Sequence, residues 1–587
     1  MQAPLFFALC SILLTPVHAL WPIPSGNRTN GTTLLQLSPN VDFKFVPPAA
    51  AILLDNCTGS STEPRVQSAI ARTLKALMTD NFVPWMLHPF GIDFQPCTQY
   101  IMGAPMISQI IVKQTDTDPS NIASPVAFNI SESYTLDIPV DGSPVVVECT
   151  HSLGCLHGLT TLQQLFYTYS PSTYLYQNGQ GSNMVYIPDA PIHIEDAPKF
   201  QHRGMNFDVA RNFFPVPDIL RQIDALAFNK FNTLHLHITD AQSWPLVIPC
   251  YPELAEKGAY APGLWYTPTD IELIQSYGSD RGVQVILEID MPGHSGSIGY
   301  SHPELTCAVD DPNWAADNVA AEPPSGTLRL NSSDVTVFID NMFDDLLPRL
   351  KEYAAFYHTG GDEVKPNAYL LDPTVRSNDS EVLQPLVNAF VLNAQAKVHE
   401  YGFTGIAWEE MLLDWNVTLA KDTLIQVWQA TRNVKSVIAK GYRAIVGNYN
   451  YWYLDCGKGQ FIDFQNDTVY YPFTDYCAPT KNWRLIYSFD PIGNLTAEEA
   501  SMVVGGEINL WTEQTDPANL DRMVWPRACA AGEVLWSGRT DAEGVNRTTI
   551  SATPRLHEMR YRLLGRGIQA EPIQPIWCAQ RPGMCYA

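Results

Sequence analysis

Basic residues are scarce in this chain. Its 587 residues hold 36 Lys and Arg against 61 Asp and Glu, a formal charge of −25, with a pI near 4.8. A nucleic-acid binder must neutralise phosphates with cations, and a polybasic membrane surface needs the same surplus; both are excluded. What remains is a partner that is neutral or cationic. No segment after the first 20 residues approaches the ~18 consecutive apolar residues of a membrane span. No Cys-x-x-Cys occurs, which removes zinc-ribbon and thioredoxin-type chemistry. No Gly-x-Gly-x-x-Gly follows any candidate strand, so a dinucleotide site has no fingerprint.

The apolar share of 45% is ample for a sizeable core, and the length suggests more than one domain. Residues 1–19 read as a secretory signal, with an apolar Leu5–Leu14 core and Val17 and Ala19 at the −3 and −1 positions of a cut after Ala19. Ten Asn-x-Ser/Thr triplets follow, at Asn27, Asn30, Asn56, Asn129, Asn331, Asn378, Asn416, Asn466, Asn494 and Asn546. Together with the signal they predict a secreted, extracellular glycoprotein, with Asn331, Asn378, Asn416, Asn466, Asn494 and Asn546 as candidate acceptors in the larger domain. Of 12 Cys, Cys10 leaves with the signal and an odd number remains. Cys456/Cys477 and Cys578/Cys585 are spaced to close short loops. Cys250/Cys307 and Cys57/Cys97 are the longer pairs expected, and Cys149, Cys155 and Cys529 are unassigned.

Residues 20–100 begin rich in Pro, Ser, Thr, Asn and Gly and are expected to be a leader or propeptide region. Residues 101–197 carry strand patterns at Gln109–Lys113, Glu132–Ile138 and Val145–Glu148 and a helical pattern at His157–Tyr167, a small α+β domain. From 198 to 587 the rhythm changes. Eight short apolar runs alternate with helical stretches: Gly204–Phe207, Thr233–Ile238, Val283–Ile289, Phe356–Thr359, Gly405–Trp408, Leu424–Val427, Arg443–Val446 and Val503–Leu510. The pattern predicts an α/β class with a (β/α)₈ TIM barrel; a doubly wound open sheet is the alternative.

Polar residues gather where these runs stop, which in a barrel is the active-site face. Asp208, His237, Asp240, Asp290 and His294, Asp362-Glu363, Glu409-Glu410, and Glu513 all follow strand candidates. The adjacent Asp362 and Glu363 should repel, holding one proton towards neutral pH, an arrangement suited to a general acid beside an anionic stabiliser. His235 and His237 point to one side of a strand. With Asp240 and His294 they could be a metal-dependent hydrolase site, a set of residues supporting an acid, or a hydrogen-bonded core. Trp408, Trp428 and Trp511 come from three strand ends and could wall an apolar pocket.

Six blocks now occur in order: His202-Arg-Gly-Met-Asn-Phe-Asp208, Leu234-His-Leu-His-Ile-Thr-Asp240, Glu288-Ile-Asp-Met-Pro-Gly-His294, Gly360-Gly-Asp-Glu363, Ile406-Ala-Trp-Glu409 and Gly505-Gly-Glu-Ile-Asn-Leu-Trp511. Together they resemble the β-N-acetylhexosaminidases of glycoside hydrolase family 20. The resemblance implies a barrel preceded by a zincin-like α+β domain; as no His-Glu-x-x-His occurs, that domain should be metal-free. It implies a β-linked N-acetylhexosaminide substrate, no cofactor, no metal and a homodimer. It implies a retaining reaction in which the substrate's own acetamido oxygen attacks the anomeric carbon to give an oxazolinium intermediate. By the match, Glu363 is acid and then base, Asp362 accepts the acetamido N–H, and Tyr453 donates to the acetamido oxygen. Trp408, Trp428 and Trp511 hold the acetamide methyl, and Arg203, Asp455 and Glu513 bind sugar hydroxyls. Asp240 and His294 tune Glu363.

Overall fold

The computed structural model describes residues 20–49, 63–91, 95–119, 130–169, 184–464 and 471–587. The signal at 1–19, Cys57, Asn56, Asn129 and Asn466 lie outside the described residues. Contacts divide the chain into two units. The first comprises residues up to 117 with 131–197 and 542–587, the second 118–130 and 198–541.

The first unit is built on a six-stranded mixed sheet. Its strands are β1 (Arg28–Val46), β2 (Met106–Gln114), β3 (Tyr134–Ile138), β4 (Val145–Cys149), β5 (Tyr167–Tyr169) and β6 (Met184–Asp196). The sheet order is β1-β2-β4-β3-β6-β5, with β1 also paired to β6. The stretch expected as a leader therefore supplies the strand that joins β2 to β6. Its first part runs antiparallel to β6, from Arg28↔Ile194 to Gln36↔Tyr186, and its last part parallel to β2, ending at Val46↔Lys113. Leu34, Leu35 and Leu37 point into the core at 3% exposure or less, each contributing roughly 1.5–3 kcal/mol by burial. Trp21 is fully buried and exchanges two 2.8 Å backbone hydrogen bonds with the Gln164 side chain.

The carboxyl-terminal residues also differ from expectation. Residues 542–587 belong to this unit, not to the barrel. The helix Thr549–Gly565 buries Leu556, Met559 and Leu563. Its Arg562 guanidinium donates to the Gln164 and Phe166 carbonyls at 2.7 and 3.2 Å while paired with Glu558.

The second unit is a closed, all-parallel eight-stranded barrel. Its strands are β7 (His202–Asp208), β8 (Thr233–Thr239), β9 (Gln284–Ile289), β12 (Phe356–His358), β13 (Thr404–Trp408), β14 (Leu424–Val427), β15 (Arg443–Val446) and β16 (Val503–Leu510), with β16 pairing back onto β7. A small hairpin of β10 (Thr306–Cys307) and β11 (Thr327–Leu328) is inserted after β9. All eight expected strands are present. Nearly every residue of these strands is buried because outer helices cover one face and the barrel interior the other. Among those helices are Val216–Phe228, Pro268–Asp280, Ser333–Leu350 and Ser380–Glu400. Thr267 and Asp270 close a capping box that fixes where the second of these begins. The lumen is unusually polar: His202, His235, Glu288, His358, Gln426 and Glu507 all lie inside with 2% exposure or less.

Disulfides join Cys456 to Cys477 and Cys578 to Cys585, as the spacing suggested, and also Cys149 to Cys155. The expected Cys250–Cys307 bridge does not form. Cys250 is exposed, its backbone N–H tied to Asp345, whereas Cys307 is buried in the β10–β11 hairpin; both thiols are free. Asn331, Asn378, Asn416, Asn494 and Asn546 are all exposed.

Candidate active site

The eight strands end at one mouth of the barrel, and the site is built from the residues just beyond them. A cleft of about 760 Å³ opens there, lined by Arg211, His294, Glu322, Asp362, Glu363, Trp428, Tyr453, Asp455, Trp511 and Glu513, among others.

The turn after β12 carries the central carboxylates. Gly360 and Gly361 have φ of 69° and 104°. A Cβ on Gly360 would lie 1.8 Å from Asp290 Oδ1, and one on Gly361 2.5 Å from the Met411 side chain, so only glycine lets the turn pass this close. Glu363 itself sits at φ 50° and His294, facing it, also at φ 50°. Non-glycine residues held in this region mark a locally over-determined structure.

Asp362 is 8% exposed, and its Oδ1 makes no hydrogen bond within the protein. Next to it, burial and then the Asp362 charge push the Asp290 carboxyl well above the ordinary range. Asp290 Oδ1 accepts the Gly361 N–H at 2.7 Å. Glu363 differs from the sequence expectation of a held proton. Burial raises its pKa, but the His294 imidazole, with Lys365 and Arg211, outweighs burial and lowers it below the usual value. His294 Nε2 is 3.4 Å from Glu363 Oε2, and its Nδ1 3.0 Å from Asp240 Oδ1. Burial opposes the imidazolium, yet Asp240 and Glu363 push His294 well above 6.5.

The three tryptophans converge. Trp408, Tyr453, Trp511 and the Cys456–Cys477 disulfide form one buried cluster, with Trp428 and Tyr449 packed against it. Trp408 and Trp511 have centroids 6.1 Å apart, and Trp428 stacks on Tyr453 at 6.0 Å and 13°. Tyr453 is pinned by a bridge to Asn509 of β16, reinforced by the Leu454 N–H donating to the Asn509 carbonyl at 2.8 Å. The neighbouring glutamates have separate tasks. Glu410 accepts the Trp428 indole N–H at 2.9 Å, and Glu409 accepts the Trp428 and Gln429 backbone N–H groups.

Arg203 does not join the site. It starts β7, at the far end of the barrel, fully buried, donating to the Lys230 and Phe200 carbonyls at 2.8 Å each and lying over the Trp536 ring. The arginine of the cleft is Arg211. Its guanidinium lies 2.9 Å from Asp240, 2.8 Å from Glu322 and 3.4 Å from Asp208, over the Trp511 ring. Glu322, from the inserted hairpin, and Tyr476 are further residues of the cleft. Asp455 and Glu513 both line it. Burial raises Asp455 to about 7, and burial with the Glu322 charge raises Glu513 well above its ordinary value.

His237 offers no open nitrogen to a metal. Both His237 nitrogens are taken, Nδ1 by Glu288 at 2.7 Å and Nε2 by Asp240 at 2.8 Å.

Residues 200–539 match the model of the glycosyl hydrolase family 20 catalytic domain, and residues 20–165 a domain model described as beta-acetyl hexosaminidase like. The chain belongs to glycosyl hydrolase family 20. It is 38% identical to a beta-hexosaminidase of Arthroderma benhamiae, covering 97% of each chain. It is 33% identical to a chitooligosaccharidolytic beta-N-acetylglucosaminidase of Bombyx mori, covering 78% of this chain and 76% of that one. Among solved family 20 structures, the Flavobacterium johnsoniae chitobiase superposes with a TM-score of 0.68 at 25% identity, covering 94% of this chain and 73% of that one. Of the residues expected at the site, Asp362, Glu363, His294, Trp428, Tyr453, Asp455, Trp511 and Glu513 line the cleft, Trp408 is buried against Tyr453 and Trp511, and Arg203 lies elsewhere.

Proposed function

We propose that the protein is a secreted exo-acting β-N-acetylhexosaminidase that removes terminal, non-reducing β-linked GlcNAc or GalNAc from chitin oligosaccharides or glycans. The reaction retains configuration and uses the substrate's acetamido oxygen as nucleophile. The observation that carries this reading is the buried, unpartnered Asp362 Oδ1 at a tryptophan-walled pocket beside Glu363. An N-acetyl group fits that arrangement: methyl against the indoles, N–H to Asp362, oxygen towards the Tyr453 hydroxyl and the anomeric carbon.

As the acetamido oxygen attacks, positive charge grows on the acetamido nitrogen and Asp362 stabilises it. Protonated Glu363 gives its proton to the leaving oxygen. It then takes one from the water that opens the oxazolinium, and His294 stabilises the carboxylate between the two steps. The tethered nucleophile gains the advantage of proximity. Arg211 takes the sugar-hydroxyl role expected of Arg203, with Asp455 and Glu513.

The test is a panel of aryl glycosides with proton NMR of the first product. Release of the β-anomer from N-acetylhexosaminides, with little turnover of the matching hexosides that lack the acetamido group, supports the reading. The α-anomer first, or equal turnover of the hexosides, overturns it. Secretion, glycan attachment at the exposed sequons and a homodimer belong to the same reading; culture-medium fractionation, glycosidase mass shifts and light scattering check them in turn.

A further inference from the structure

The chain of charged groups behind Glu363 does not end at Asp240. From Asp240 Oδ2 it passes to His237 Nε2 at 2.8 Å, and from His237 Nδ1 to Glu288 Oε2 at 2.7 Å. Glu288 is fully buried in the lumen. Its Oε1 accepts the Trp408 indole N–H at 2.7 Å and meets His358 Nδ1 at 3.1 Å, while Oε2 also meets His235 Nε2 at 3.1 Å. One carboxylate therefore grips both a wall of the acetamide pocket and the line leading to the acid.

We propose that His237, held by Glu288, is a positioning residue that sets the pH range in which Glu363 serves as the acid, acting through Asp240 and His294. This rests on the proposed role of Glu363. The four groups behind Glu363 alternate in sign. Burial pushes Glu288 up, but His358 and His237 pull it well below its ordinary value. Burial opposes the His237 proton, but Glu288 and Asp240 raise it to about 10. Burial works against the Asp240 charge too, and Arg211 and His294 overcome it. Asp290, Asp362 and Arg211 also face His294. Arg211 faces Asp240 at 2.9 Å, and the Trp511 ring meets His237 edge-on at 4.9 Å. Lys365, Arg211, Glu322 and Tyr476 act on Glu363 besides His294, and Asp362 adjoins it.

The sign follows from the arrangement. Replacing His237 with glutamine removes one positive charge from behind Glu363. A charge that stabilised the Glu363 carboxylate is then gone, and the proton affinity of Glu363 rises.

The experiment is the pH profile of kcat and kcat/KM for the full-length enzyme on chitobiose, whose poor leaving group needs the acid. In His237→Gln the alkaline limb should move up by about half a unit to one unit, a roughly three- to ten-fold higher relative rate on that flank. His237→Asn serves where the glutamine variant is insoluble. Asp240→Asn removes the carboxylate that links His237 to His294, so in that background the His237 substitution should lose most of its shift, a dependence that general loosening cannot produce. In a His294→Gln background the His237 substitution should add no shift, because the line is already cut. An unmoved limb in folded His237→Gln and His237→Asn, with only a lower rate, overturns the proposal. Glu363→Gln separates the two readings. If it leaves turnover of chitobiose intact, the assignment of the acid fails. If it abolishes that turnover while the limb stays fixed in the His237 variants, only the present inference fails.

Discussion

Asp362→Asn is the most informative single substitution. The oxazolinium-forming step places developing positive charge on the acetamido nitrogen against a carboxylate that is only 8% exposed. At ~4 Å and an effective dielectric near 20, two full charges interact by about 4 kcal/mol. The charge is partial at the transition state, and asparagine keeps one acceptor, so about 3–4 kcal/mol is an upper range, or 10²- to 10³-fold in kcat. KM should change much less than kcat, because the interaction strengthens only as charge develops. Steady-state release of 4-nitrophenol measures both constants, and circular dichroism confirms the fold. A loss below about tenfold, or one confined to KM, would refute the reasoning. Glu363→Gln provides the contrast: its loss should be far greater on chitobiose, a poor leaving group, than on the aryl glycoside, whereas Asp362→Asn should impair both alike.

Other consequences are more briefly put. Activity should peak below neutrality. Glu363 must be protonated to act, and His294 lowers its pKa, so the acid form is lost as pH rises through a lowered value; a maximum above pH 7 would contradict this. Trp428→Ala should raise KM and lower kcat about tenfold each by opening the pocket, and Glu410→Gln should do less, since an amide oxygen still accepts the indole N–H. Cys456→Ser with Cys477→Ser frees a 21-residue loop attached to Tyr453 and Asp455. It should cost about 3 kcal/mol on a loop-entropy estimate and lower kcat as well, read by thermal melting and steady-state assay. Deleting residues 20–46 should give insoluble protein, because β2 and β6 lose the strand between them.

The barrel was legible because a parallel strand buried on both faces must be apolar throughout and must stop where the chain turns polar. Those stops were also the site, so Asp362, Glu363 and His294 could be located from phase alone. Arg203 shows the limit of that logic. It lies in the right block but opens β7, and five residues at about 3.3 Å each separate it from Asp208 by about 17 Å, the length of the barrel. Arg211 lies three residues beyond the strand. The available signal was Asp208 itself, whose Oδ1 accepts the Ala210 and Arg211 backbone N–H groups and turns the guanidinium back over the mouth. Glu322 comes from an inserted hairpin, whose fold back over the cleft leaves no periodic trace. β1 was hidden for a related reason: its composition is that of a loop, and its strand character comes from partners some 70 and 150 residues away (Phe43↔Ile110, Leu35↔Ile187).

The acidic composition also takes a more local meaning in the cleft. Asp290, Glu410 and Glu513 are pushed well above their ordinary range, first by burial and then by neighbouring carboxylates, and Asp455 reaches about 7. Counting every acid as a charge therefore overstates the field at the site. In weak acid the two of them that line the cleft, Asp455 and Glu513, are protonated and can both donate to and accept from sugar hydroxyls, which a pair of carboxylates could not do. As pH rises through about 7, Asp455 ionises beside Asp475 and loses its donor. Sugar binding should then weaken in the same direction as the loss of the Glu363 proton. Two separate groups would thus define the alkaline side of the profile, Glu363 through kcat, Asp455 through KM, and both through kcat/KM. Asp455→Asn, which keeps a donor at every pH, should flatten the rise of KM above neutrality without moving the limb in kcat. A KM that still climbs in that variant would assign the effect elsewhere.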